Sequence, residues 1–483
     1  MDQSRAPVLE ALVDYRQRRD VSFTPPGHRQ GRGVDPRVLA VLGEDLFRDD
    51  VMVINGLDDR LSTGGVLEEA QQLMAEAVHA DKAFFSTCGS SLSVKSAMLS
   101  VAGPGEKLLV ARNAHKSVIA GLILSGVKPV WIHGVWDGEL HLSYPPTPDA
   151  VEEGFKAEPD AKGVLVASPT DYGTCADLAA IAEVCRRHGR VFIVDEAWGA
   201  HLPFHDGLPA WGMDAGADLV VTSVHKMGNG LEQSSVFHLQ GDRVDPNVLK
   251  AREDLLGTTS PSTLIYAALD GWRRQMAENG ASLLDRALEL AQSVRSSING
   301  ISGLWVMDKD NCRAFDLDPL KIVIDVSELG VDGYHANDWL RDKCNVNMAL
   351  SDHRRISASI TVGDDEETAG VLVDSLRALA SAGDLPPAAR IDVPEPGELE
   401  LETVMLPRDA FFGRIEQVPV EEAAGRLAAE MVTPYPPGAP ALTPGERITR
   451  PVLRYLTTGL AGGMDIPDAA DPSLKTLRVV AED

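Results

Sequence analysis

Residues 80 to about 240 predict an α/β domain built on a mainly parallel sheet. Short β-branched or apolar runs there alternate with amphipathic segments, and several of those segments are long enough to cross back over a sheet. Such a sheet is covered on both faces and gathers its ligands at the carboxyl ends of the strands. Chemistry is therefore expected in the loops that follow strands.

The strands are expected at 83–87, 108–111, 129–133, 164–168, 191–196, 219–223 and 235–239, with helical segments at 91–101, 117–125 and 177–188 between several of them. Residues 261–279 and 282–297 then read as two helices. From about 303 to 382, strands at 320–326 and 356–362 and helices at 334–342 and 366–382 suffice for a smaller α+β domain. The stretch IDVPEPGELELE, with Pro394 and Pro396, reads as a linker into a last segment. The expected division is an N-terminal segment 1–60, a large domain 61–280, a small domain 281–390 and a C-terminal domain 391–483. Neither an internal repeat nor a low-complexity tract is evident.

At 483 residues and 44% hydrophobic, the chain is too long for one compact core and apolar enough to build several. It has no run of eighteen apolar residues, and it opens with MDQSRAPVLE instead of a basic patch followed by a greasy stretch. A membrane span and a secretory signal are thus not expected, and the location expected is cytoplasmic. Five cysteines, scattered and without a CxxC pair, read as reduced thiols and not as a disulfide framework or a zinc site. A net charge of −27 speaks against nucleic acid, because neutralising phosphates takes the opposite sign. An acidic surface helps to draw in a small cation, although it serves solubility equally well.

Four separated pieces each make sense as part of a site for pyridoxal 5'-phosphate (PLP). In STCGSSLSVKS, Gly89, Ser90 and Ser91 follow an apolar strand and open a helix, offering N–H groups and hydroxyls to a phosphate. Serine at a helix start is also an ordinary cap. In VFIVDEAWGAH a buried strand ends in Asp195, whose carboxylate is costly to desolvate without a cationic partner such as a pyridinium nitrogen. Glu196 points the other way by strand alternation. In LVVTSVHKMGNG another strand runs into Ser223, His225 and Lys226, and a lysine amine with a depressed pKa can form a Schiff base. In RNAHKSV, His115 either stacks on a pyridine ring or caps the helix that it begins. No metal is expected: His201 and His205 in HLPFH have helical ligand spacing, but Pro203 lies between them.

These pieces, with TPPGHRQGRG, NGLDD, SPTDYG, TTSPS and PYPPGAPALTPGERI, resemble the fold-type-I ornithine/lysine/arginine decarboxylases, in particular the shorter bacterial arginine and lysine enzymes. The resemblance runs from about residue 20 to 460. It implies an aspartate-aminotransferase-like large domain and removal of the α-carboxylate from a basic amino acid, with arginine ahead of lysine and ornithine. It makes Lys226 the Schiff-base lysine, Asp195 the pyridinium partner and His115 the ring-stacking residue. Ser90, Ser91, Ser223 and His225 would surround the phosphate, and Ala197 would pack on the other ring face with His201 close by. Thr259 and Ser260 would reach the phosphate of a neighbouring subunit, so that a homodimer is the smallest competent unit. Glu446 matches a position where the C-terminal domain presents an acid near the substrate entrance.

Three positions depart from the family pattern. Asp171 stands where an aromatic is frequent and adds a carboxylate for the substrate's distal cation. Cys88 stands where Asn is common, and Arg60 replaces an apolar residue at a subunit contact. His201 and the released Lys226 both qualify as proton donors to Cα. The rival readings are another fold-type-I reaction (transamination, oxidative deamination or lyase chemistry) and a catalytically silent regulatory homologue. Intact Lys226, Asp195 and His115 speak against the latter.

Overall fold

The computed structural model describes residues 1–53, 57–58, 65–435 and 438–482. Arg60, with its expected subunit contact, and parts of the NGLDD and PYPPGAP motifs lie outside them. The chain forms two compact units: Met1–Ser100 with Ile193–Leu284, and Val101–Phe192 with Asp285–Asp483. In chain order, the main strands of the α/β region are β1 (Lys82–Ser86), β2 (Lys107–Ala111), β3 (Lys128–Ile132), β4 (Gly163–Ala167), β5 (Val191–Asp195), β6 (Leu219–Ser223) and β7 (Ser235–Leu239). All seven fall within a residue or so of their expected places.

In the first unit β5 runs parallel to β6, with Asp195 opposite Val221. β7 is antiparallel to both β6 and β1. The direction changes at β7 because the connection from Ser223 to Ser235 holds only the one-turn helix Val224–Met227, too little for a crossover. In the second unit β2 is parallel to both β3 and β4. Side chains along β6 and β7 are buried throughout, as central strands of a covered sheet require.

The expected break between helices at 261–279 and 282–297 does not exist: one 37-residue helix runs from Thr263 to Asn299. Gly280 lies where the break was expected, yet glycine inside a helix costs only about 1 kcal/mol relative to alanine. Packing accounts for it here, since a Cβ on Gly280 would lie 3.0 Å from Cβ of Phe204. The same helix holds the N-terminal segment through a wholly buried ion pair, Asp270 with Arg273 at 2.7 Å. Asp270 accepts the Val8 N–H at 2.8 Å, and Arg273 donates to the carbonyls of Gln3 and Arg5 at 2.8 and 2.6 Å.

Within the second unit, strands Lys321–Asp325 and Arg355–Ser359 pair antiparallel, and helices Gly333–Cys344 and Glu366–Ala380 accompany them. Asp365 starts the latter with a capping box to Thr368. Strands Ile415–Pro419 and Thr476–Val480 pair antiparallel. Val432, Leu442, Val452, Leu456 and Val479 belong to the core beside them. Among the described residues no helix is long and apolar enough to cross a membrane.

Candidate active site

Three loops of the first unit meet at the carboxyl ends of β5 and β6. Asp195 closes β5 with 6% exposure, and its carboxylate accepts the Ala197 N–H at 3.3 Å. The Ala197 carbonyl in turn accepts the Ser223 N–H at 3.3 Å, which ties the loop after β5 to the end of β6. The Ser223 hydroxyl donates to that of Ser90 at 2.6 Å, so the third loop joins them. Gly89 opens the helix Gly89–Val101 at φ +75°, where a side chain would be strained. No described atom lies within 4 Å of where its Cβ would sit, so the approach to this helix start is open. Its N–H groups and the Ser90, Ser91 and Ser223 hydroxyls make a donor set suited to an anion.

Lys226 lies in the short helix after β6, and its ammonium sits 4.3 Å from the centre of the Trp198 ring. Such a contact contributes on the order of 0.5–2 kcal/mol, according to how far it is desolvated. The glycines of KMGNG have a packing reason, since a Cβ on Gly228 would lie 2.8 Å from the Trp272 indole. The half-buried His225 ring shares its Nδ1 with the Ser234 carbonyl at 3.2 Å. A carbonyl only accepts, so Nδ1 carries the proton. Burial first, and the Lys226 ammonium beside it, hold this imidazole below its usual pKa of 6.5, and it presents a lone pair at Nε2.

The neighbours of this cluster divide by burial. His201 is 2% exposed at the start of the turn Leu202–Phe204. Glu196 lies wholly buried on the opposite side of the strand end and accepts the Gly212 N–H at 3.1 Å. Desolvation, with Asp195 adding to it, pushes its carboxyl well above the ordinary range. Gly199 and Gly212 make room for it: a Cβ on Gly212 would come within 2.7 Å of its Oε2, and one on Gly199 would collide with its Cγ. Thr259 and Ser260 are exposed, and the helix starts only at Thr263. These two residues and Pro261 therefore do not begin the helix, and their hydroxyl-bearing loop faces outward.

His115, Asp171 and Glu446 belong to the second unit. His115 is the N-cap of the helix Lys116–Ser125, its Nδ1 accepting the Ser117 N–H at 3.2 Å. The capping alternative is thus realised, and the ring is held in one orientation by it. Asp171 is half-buried in the loop after β4, next to Tyr172, whose hydroxyl donates to Asp352 at 2.8 Å. Glu446 has no exposure. It accepts the Thr443 N–H at 2.9 Å and pairs with Arg112 at 3.2 Å. An acid expected at an entrance is here enclosed and already neutralised. Among the described residues no group of three or more His, Cys, Asp or Glu could hold a metal ion.

Trp198, Glu196 and Arg112 were not singled out by sequence for these contacts. Trp198 had a signal, an aromatic three residues past the acid of a strand end. Arg112 had one in its place directly after β2, but its partner Glu446 lies too far along the chain for any spacing argument.

The family description "Orn/Lys/Arg decarboxylase, major domain" matches residues 6–316, and the C-terminal domain of the same family matches residues 398–467. The chain belongs to the Orn/Lys/Arg decarboxylase family. Over 489 aligned positions it is 38% identical to an arginine decarboxylase of Bacillus anthracis, covering 100% of this chain and 98% of the relative. Identity to an arginine decarboxylase of Halalkalibacterium halodurans is 39%, covering 99% and 98%. The solved structure of lysine decarboxylase A from Pseudomonas aeruginosa superposes with a TM-score of 0.83 at 22% identity, over 98% of this chain and 80% of that one. The fold-type-I architecture expected from the motifs holds, and so does the class of activity, an amino acid decarboxylase. With the family shown, the transaminase and deaminase readings fall away.

Proposed function

We propose that the chain removes the α-carboxylate of L-arginine, with lysine and ornithine as poorer substrates, using PLP held by Lys226. The observation that carries the reading is the meeting of Asp195, Ser90, Ser223 and Lys226 at one sheet end, an arrangement that fits this cofactor part by part. Hydroxyls and helix N–H groups suit its phosphate, and a buried carboxylate suits its ring nitrogen. A half-buried lysine amine just past the end of β6, over the Trp198 ring, suits its aldehyde. When bound, the cofactor supplies an electron sink for the bond to the departing carboxylate.

Ser90, Ser91, Ser223 and the N–H groups of the Gly89–Val101 helix bind the phosphate, and an anion arriving beside His225 favours its protonated, donating form. Asp195 holds a proton on the ring nitrogen through charge, in a site with little water to screen it. The family resemblance would give Ala197 one face of the ring and His115 the other. Thr259 and Ser260, on their outward loop, serve the phosphate of a partner subunit in a homodimer. Lys226 would hold the cofactor's aldehyde, and its amine, over the Trp198 face, would be one candidate to carry a proton to the substrate Cα, with His201 the other. Of the two candidate acids, Glu446 is committed to Arg112, and we assign the guanidinium to Asp171. A planar guanidinium gains more than an ammonium from a carboxylate that it can grip with two N–H groups.

Turnover of arginine, lysine and ornithine by the purified protein, compared as kcat/KM, tests the assignment. Arginine is expected to lead, and a preference for lysine or ornithine would overturn the substrate assignment while leaving the reaction class intact. The cytoplasmic location and the four-part domain division remain part of the same proposal.

A further inference from the structure

The second unit carries a set of contacts that converge on His115. Arg112, directly after β2, donates through Nη1 to the Pro440 carbonyl at 2.7 Å. Through Nη2 it reaches the Ala441 carbonyl at 3.5 Å and Glu446 at 3.2 Å. Its guanidinium lies 5.3 Å from the Trp131 ring centre. Next along the chain, the Lys116 N–H donates to the Gly438 carbonyl at 3.0 Å, and its ammonium lies 5.4 Å from the ring centre of Tyr435. Residues 112–116 thus hold Tyr435 and the stretch from Gly438 to Glu446. Gly438, at φ +88°, backs directly onto His115: a Cβ there would lie 3.0 Å from Cδ2 and 3.4 Å from Nε2 of the imidazole.

We infer that Arg112 and Gly438 are positioning residues for His115, and that the buried Arg112–Glu446 pair sets the angle of that ring instead of serving the substrate. Three features support this. The helix cap fixes the ring at Nδ1 but leaves rotation of the cap residue itself to be checked by whatever lies behind it. What lies behind it is Gly438, seated by the Lys116 N–H. The segment bearing Gly438 is in turn anchored by a guanidinium that spends its fork on two carbonyls and one carboxylate. A buried carboxylate left without its cation is strongly disfavoured, so Glu446 locks Arg112 in this pose. A lysine keeps the charge but cannot span the fork.

The inference rests on the proposed place of His115 against the cofactor ring, and a mutant cycle tests the two separately. The full-length protein, stripped and titrated with pyridoxal 5'-phosphate, gives a Kd by visible absorbance. His115→Ala is expected to weaken binding by up to about tenfold, the worth of one ring-on-ring contact. Arg112→Lys is expected to weaken it by roughly three- to tenfold when His115 is present, and to have no further effect when His115 is already alanine. Should Arg112→Lys fail to fold, Gly438→Ala takes its place in the same cycle, because it pushes on the ring without touching the ion pair. Equal losses from Arg112→Lys in both backgrounds, or none in either, would overturn the inference. A wild-type protein without any borohydride-reducible absorbance would instead sink the cofactor reading, and the inference with it.

Discussion

Glu196 offers a prediction whose size follows from its surroundings. Its carboxyl is wholly enclosed, bonded by the Gly212 N–H at 3.1 Å, and raised well above its ordinary value of 4.5 by desolvation and then by Asp195. A carboxyl whose folded pKa is raised contributes its stability fully below 4.5, and that contribution is lost as pH rises toward the folded pKa. Over that window the unfolded chain ionises Glu196 and the folded chain does not, which costs the wild type about 1.4 kcal/mol per pH unit. Glu196→Gln removes the titration and keeps the acceptor for Gly212, but it buries an amide donor, a cost of about 1 kcal/mol. The two proteins should therefore be near parity about one unit above 4.5, with Glu196→Gln pulling ahead per further unit until the folded carboxyl ionises. Thermal melts of both proteins across a pH series measure the difference, and turnover at neutral pH should agree within about twofold. A difference that stays flat with pH, or one that moves against the amide as pH rises, would show that Glu196 is ionised in the folded protein.

Three further outcomes follow from the cofactor cluster. Asp195→Asn keeps shape but loses charge, and turnover should fall by about two to three orders of magnitude, the roughly 3–4 kcal/mol that one such group supplies; a variant within threefold of wild type removes Asp195 from the mechanism. Burial holds His225 below its usual value, so phosphate binding, which favours its protonated form, should take up a proton there. PLP affinity should accordingly weaken as pH rises from below the ordinary imidazole value of 6.5, with the dependence flattened in His225→Gln; an unchanged slope in the variant places the proton elsewhere. Mixed dimers of Lys226→Ala with Thr259→Ala/Ser260→Ala chains confine both lesions to one of two sites if the sites are shared. Such dimers should recover about half the wild-type activity, whereas the mere sum of the parents' activities, with subunit exchange proven, contradicts sharing.

Much of the α/β region was legible because a buried strand announces itself. VFIVD, LVVTS and GVLVA are apolar runs too short for helices, each followed by a residue that marks the strand's end. What periodicity cannot convey is direction, and β7 proved antiparallel because only a short connection precedes it. The single helix across Gly280 was hidden for a different reason: the glycine is explained by Phe204, a residue distant in sequence, and a local rule sees only a break. The same limit governed the site. Asp195, Ser223 and Lys226 could be read from strand ends, and Gly89, Ser90 and Ser91 from a helix start. His115 stood open between capping and stacking, because one residue in one motif supports both. The enclosure of Glu446 by Arg112 depends on a contact between residues more than three hundred positions apart, which no single motif contains.

The central claim is that this chain decarboxylates a basic amino acid through a cofactor held at Lys226, and the carbon balance of the reaction tests it most directly. With carboxyl-labelled L-arginine and PLP supplied, the purified protein should release labelled CO₂ and the corresponding amine in equal amounts, and Lys226→Ala, though folded, should release neither. Loss of arginine with a keto acid as product and no CO₂, or full CO₂ release by the Lys226→Ala protein, would contradict the account.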